Sequence, residues 1–125
     1  LTVVQDALLA NPDAEIVISS WDDMTRGVEE GIRAAGKTPG EDVRIYSVGG
    51  TEYGVGQVTS GAWASTTILL PYEESYYGIV QLAKAIDTGE STPGFTYLAE
   101  SPLVLDGPGS LFITVDNAAG FTPEY

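Results

Sequence analysis

Short apolar, β-branched runs recur along this chain, and each is followed by a stretch with helical spacing. That alternation constrains the fold more than any other feature. Residues 14–20 (AEIVISS), 43–48 (VRIYSV) and 65–70 (STTILL) have the length and composition of strands. After the first run, Met24, Val28, Gly31, Ile32 and Ala35 recur at helical steps. Asp22 or Asp23 is placed to cap that helix and Gly36 to end it. After the second run a weaker, glycine-interrupted helix is expected over 52–60. After the third, Tyr76, Ile79, Val80, Ala83 and Ile86 make one apolar, core-facing stripe over 73–87, with Glu73 and Glu74 at the favourable end of the helix dipole. An amphipathic stretch over 2–10 precedes all of these and stops at Asn11-Pro12, because proline disfavours helical geometry in the residue before it. Strands separated by helices need crossover connections and therefore pair in parallel. The pattern predicts an α/β fold, a three-layer parallel sheet with helices on both faces. The strand runs lack polar alternation, which suits strands covered on both sides.

At 125 residues, 43% of them hydrophobic, the chain has the size of one domain and enough apolar material for a core. Its character changes after Gly89. Residues 91–125 are rich in proline and glycine, with two short apolar runs at 103–105 and 111–115. We divide the chain into an α/β ligand-binding lobe, 1–90, and an irregular tail, 91–125, which adds edge strands or passes to a neighbouring lobe. The helical pattern is already under way at Leu1, with no methionine and no capping residue ahead of it. The chain therefore reads as a piece of something longer, with any export signal in the other part.

Charge and residue types exclude several functions. Lys and Arg number 5 against 18 Asp and Glu, a net charge of −13. Such a surface argues strongly against binding nucleic acid, whose phosphates need clustered cations, and nearly as strongly against docking on anionic membranes. Cysteine and histidine are absent, which removes Cys/His zinc sites, thiol nucleophiles, disulfides and any Ser-His-Asp triad. No apolar run approaches the ~20 residues that span a bilayer.

In open α/β sheets, ligands bind beyond the carboxyl ends of the strands. Three such ends are expected to share one rim: Trp21-Asp22-Asp23, then Gly49-Gly50-Thr51-Glu52-Tyr53, then Leu69-Leu70-Pro71-Tyr72. Trp21 is either a stacking platform for a sugar ring or a packing aromatic. Of Asp22 and Asp23, one is expected to cap the helix while the other accepts hydrogen bonds from a polar ligand. Tyr53 and Tyr72 are possible additional contacts. The glycines 49, 50, 54 and 56 do not match a phosphate loop, because Thr59 stands where the third glycine of the fingerprint belongs. No acid sits in a catalytic motif. The residues point to a binding rim without catalytic apparatus, metal or cofactor, and so to a protein that is not an enzyme.

The string from Gln5 to Lys37, QDALLANPDAEIVISSWDDMTRGVEEGIRAAGK, resembles the type I periplasmic solute-binding proteins of ABC transporters, the ribose- and galactose-binding group. The positions that carry the likeness are Gln5, Leu8, Pro12, Asp13, Asp22, Met24, Gly27 and Ala34 to Lys37. The stretches VRIYSVGGT, TTILLPYEESYYGIVQLAKAIDTGE and ITVDNAAGF resemble later segments of the same family, in the same order. The resemblance implies two α/β lobes closing on a ligand by a hinge. This chain would be most of the C-terminal lobe without its first strand, and its tail would cross the hinge. It implies an exported protein, periplasmic or at the cell surface with or without a lipid anchor, that passes a small molecule to permease subunits. It also places ligand positions at Trp21, Asp22, Gly49 and Leu69. In this family Trp21 is often Asn, Gly49 usually Asp and Leu69 usually Gln or Asn, so three hydrogen-bonding positions are apolar or empty here. A sugar-like or polyol ligand, or a less polar one, is expected in place of typical ribose or galactose binding. The effector-binding domain of a lactose-repressor-type transcription regulator shares the fold and is the alternative.

Overall fold

The computed structural model describes residues 2–90 and 101–125. Leu1 and the first ten residues of the proline- and glycine-rich tail lie outside the described residues. The order is α1 (Thr2–Ala10), β1 (Ile16–Ile18), α2 (Asp22–Ala34), β2 (Arg44–Gly49), α3 (Glu52–Thr59), β3 (Ser65–Ile68), α4 (Pro71–Thr88), α5 (Pro102–Leu105) and β4 (Phe112–Ile113), with a 3-10 turn at Ala118–Gly120. Each element expected over 2–88 is present, with β1 and β3 shorter than the apolar runs that encode them and β2 of the same length, shifted by one residue.

The four strands stand side by side in the order β1-β2-β3-β4. The first three are parallel, in the register Ile18↔Tyr46 and Tyr46↔Ser65. β4 runs antiparallel to β3, with Thr66 opposite Ile113. The sheet is thus mixed: the α/β core is parallel, and the second apolar run of the tail supplies an antiparallel edge.

Strand periodicity sorts the side chains onto two faces. Val17, Ile45, Ser47, Thr66, Ile68 and Ile113 share the face beneath α2 and α3, and all but the half-buried Val17 are buried there. Ile16, Ile18 and Phe112 share the other face and remain 55%, 80% and 60% exposed. The expectation that the first strand is covered on both sides is not met among the described residues, where Ile16 and Ile18 stay largely exposed. The covered face continues into Ile32 of α2, Val58 of α3 and Trp63, all at most 2% exposed. Trp63, which the sequence places near a loop, is a core residue.

α4 departs from the core abruptly. Leu70 is buried, yet no residue of α4 itself is. Its apolar stripe forms as expected, but Tyr76, Ile79, Val80 and Ile86 are exposed, so the reading of Tyr76 as a core-facing residue is corrected. A helix stripe is buried only where a second surface meets it, and among the described residues none does.

Candidate ligand-binding site

The three strand ends do converge, and one carboxylate joins them. Asp22 is fully buried at the first turn of α2. Its Oδ2 accepts from the Thr51 backbone N–H at 3.0 Å and from the Thr51 hydroxyl at 3.1 Å, both at the end of β2. Its Oδ1 accepts from the Thr66 hydroxyl of β3 at 2.8 Å. Thr66 Oγ1 in turn accepts from Gly50 N–H at 3.2 Å. A carboxylate taken out of water needs such donors, and each is worth more than a neutral hydrogen bond. The glycines of the second strand end make room for it: a Cβ on Gly54 would collide with the Asp22 carboxylate, and one on Gly49 would sit 2.8 Å from it. The "GGT…G" run is therefore a cradle for a buried acid.

Capping is done differently from the expectation. Trp21 stands at the N-cap of α2 in extended geometry, with no side-chain cap bond, and neither Asp22 nor Asp23 caps the helix. Asp22 cannot do both, because its oxygens reach across to β2 and β3. Asp23 is exposed and lies 3.5 Å from Arg26. Thr25 adds a second pin: its hydroxyl lies 2.7 Å from Ser19 Oγ and 2.9 Å from Ser47 Oγ, tying α2 to the ends of β1 and β2.

Around this polar knot lie aromatic rings. Trp21 is half-buried and stacks on Tyr125, with ring centroids 5.9 Å apart and planes 16° apart. Tyr125 Oη donates to the Gly49 carbonyl at 2.9 Å, and the same carbonyl accepts from Leu69 N–H at 3.1 Å. Trp21, Asp22, Gly49 and Leu69 thus belong to one rim. Tyr53 stands one step further out, beneath the Arg26 guanidinium, which lies 3.7 Å from its ring centroid. A cavity of about 410 Å³ opens there, lined by Asp23, Arg26, Thr51, Glu52, Tyr53 and Tyr125. Tyr72 is separate: its side chain is exposed at the start of α4, and only its N–H is engaged, donating to the Glu124 carboxylate at 2.8 Å.

Behind Tyr53 stands Glu29, buried on α2. Its Oε1 accepts from Trp63 Nε1 at 2.6 Å and from the Tyr53 hydroxyl at 3.3 Å, while Oε2 accepts from Arg33 at 3.0 Å. Burial, followed by the charge of Glu29, raises the Tyr53 pKa above its ordinary value. Burial, followed by the charge of Asp22, does the same to Tyr125. Both phenols therefore stay neutral donors through the physiological range. Among the described residues no group of three or more metal-ligating side chains is placed to hold a metal ion, and no helix is long and apolar enough to cross a membrane.

Sequence reasoning missed Tyr125, Thr66 and Glu29, and placed Thr51 on the rim without giving it a role. Tyr125 lies in a tail without periodicity, and the others carry no motif. The one available signal was Asp22 itself, an acid at a strand end followed by glycines at the next one.

No family model matches the chain. The D-apiose import binding protein of Actinobacillus succinogenes is 33% identical over 89 residues, which is 70% of this chain and 28% of that protein. A Mycobacterium smegmatis protein, solved in complex with β-D-fucofuranose, is 32% identical over 73% of this chain and 29% of its own, with a TM-score of 0.60. The chain is a homologue of the type I periplasmic sugar-binding proteins. The Caulobacter myo-inositol binding protein, bound to myo-inositol, has the same fold, with a TM-score of 0.75 over 98% of this homologue and 38% of that chain, at 21% identity. The homologue spans less than a third of the length of the D-apiose import binding protein and of the Escherichia coli ribose import binding protein, 28% of each.

Proposed function

We propose that this chain is the C-terminal-lobe portion of an exported solute receptor of an ABC importer, and that it binds a neutral sugar or cyclitol between two lobes. The observation that carries the reading is the 33% identity to an import binding protein over 70% of this chain. Such a receptor works by closing its lobes: ligand contacts available only in the closed state shift the population toward it. The permease then receives the closed form. Export, to the periplasm or the cell surface, goes with this role.

Trp21, Gly49, Leu69 and Tyr53 are the residues we assign to the ligand side, with Tyr72 at the margin. Asp22 acts behind them: its oxygens are committed to Thr51 and Thr66, so it holds the rim in shape. The exposed apolar stripe of α4 supports a second assignment, that this helix of the 1–90 lobe is covered by another part of the full-length protein. The effector-domain alternative gains no support from the relatives named above, which are import proteins.

The test is ligand-dependent compaction of the full-length protein in small-angle scattering, with D-apiose, D-fucose and myo-inositol in the panel, followed by calorimetry. Trp21→Ala should weaken binding of the active ligand by about 1–3 kcal/mol, the range for a buried aromatic anchor. Full affinity in that variant, with a sharply lower melting temperature, would make Trp21 a packing residue. No compaction with any sugar or polyol would defeat the receptor reading itself.

A further inference from the structure

The tail from Phe121 to Tyr125 is tethered at every strand end of the rim. Phe121 is buried against Gly50, where a Cβ would come within 3.4 Å of its ring. The Glu124 carboxylate accepts from Tyr72 N–H at the start of α4. The Tyr125 carbonyl accepts from Glu52 N–H at 2.9 Å, its hydroxyl bonds the Gly49 carbonyl, and its ring stacks on Trp21. These partners follow β1, β2 and β3 in turn, so five residues form a strap across all three strand ends.

Resting on the receptor reading above, we propose that Tyr125 is a ligand-contacting residue: its ring, backed by the stacked Trp21 indole, forms an aromatic wall of the cavity, held by a main-chain bond to Glu52 and a hydroxyl bond to the Gly49 carbonyl. Gly49 offers no side chain to the rim, and the phenol of Tyr125 occupies the space beside it. The ring lines the cavity with Asp23, Arg26 and Glu52. Two carboxylates and one guanidinium, already beside Asp23, accept and donate hydrogen bonds to hydroxyl groups but repel a sugar acid or phosphate. The aromatic wall takes the C–H face of a ring. The cavity's occupant is therefore an uncharged polyhydroxylated ring, stacked on Tyr125. The main-chain bond to Glu52 and the hydroxyl bond to the Gly49 carbonyl also pre-order the wall, so little freedom is lost when a ligand arrives. Tyr125 is still 40% exposed, so removing its ring opens no deep cavity, and binding and folding can be read separately.

The experiment uses the full-length protein and whichever of D-apiose, D-fucose or myo-inositol the wild type binds. Calorimetry and thermal melts are run on wild type, Tyr125→Phe and Tyr125→Leu. Tyr125→Phe keeps the ring and should bind within about threefold of wild type. Tyr125→Leu should bind about tenfold more weakly, the scale of one aromatic contact, with a melting temperature close to wild type. Equal or tighter binding by Tyr125→Leu would overturn the proposal, since the ring would then be a bystander or an occupant to be displaced. A large fall in the melting temperature of Tyr125→Leu with its affinity unchanged would make Tyr125 a structural strap only, and would also overturn it. A wild type that binds none of the three removes the receptor reading and this inference with it, a result distinct from the two variant outcomes.

Discussion

α2 and α4 both follow a strand of the parallel sheet, and they behave in opposite ways. α2 is the more polar helix, yet it buries Asp22, Thr25, Glu29, Gly31 and Ile32. α4 is longer, 18 residues against 13, carries a continuous apolar stripe, and buries nothing. The difference lies in partners. Each buried polar side chain of α2 meets a specific group on a neighbouring strand or helix, whereas the stripe of α4 faces no other described element. Hydrophobicity shows which face of a helix wants cover. Only the surrounding chain decides whether cover is there, and a polar face is buried just as readily when every group on it is paired.

This contrast can be broken most severely at Asp22. Asp22→Ala strands the Thr51 and Thr66 donors without their acceptor, and should cost on the order of 4 kcal/mol in denaturant unfolding. A loss below about 1 kcal/mol would mean the knot is not what seats α2. Next comes a matched pair of isoleucines. Ile32→Ala in α2 should cost about 3 kcal/mol, the usual penalty for a filled core position. Ile79→Ala in α4 should stay within about 0.5 kcal/mol in this chain. Equal penalties would show α4 to be packed after all, and a large penalty for Ile79→Ala confined to the full-length protein would identify the second lobe as its cover. The smallest effect is alkaline. The native state holds the Tyr53 and Tyr125 protons more tightly than the unfolded chain does. Their contribution is complete below the ordinary tyrosine value near 10 and is lost as pH rises through the higher native values. Stability should therefore fall above about pH 10, and less steeply in Tyr53→Phe, as measured by urea midpoints across that range.

Much of the architecture was legible because it is written in periodicity. The runs at 14–20, 43–48 and 65–70 gave three strands in parallel order, and the spacing from Met24 to Ala35 gave α2. The site was legible only in outline. The rule that ligands lie beyond strand ends brought Trp21, Gly49 and Leu69 to one rim, but the role of Asp22 was not visible. Its partner Thr66 lies 44 residues away, and one Asp at a helix start looks like a cap. Tyr125 was hidden for a related reason: its contacts with Gly49 and Trp21 are long-range, and no local pattern encodes a long-range contact. The open face at Ile16 and Ile18 was misjudged because an apolar strand run states a demand for cover without stating how much cover follows.

The Asp22 cradle also limits how this chain can change by single steps. An alanine at Gly54 is blocked by the Asp22 carboxylate, which three hydrogen bonds keep from swinging aside. A smaller residue at position 22 leaves Thr51 and Thr66 unpaired. Neither replacement is tolerable first, although the double replacement removes the collision and, with an apolar residue at Thr66, much of the unpaired polarity. Positions 22, 51, 54 and 66 should therefore drift together or not at all across descendants of this sequence, while Trp21, next along the chain but outside the knot, is under no such constraint.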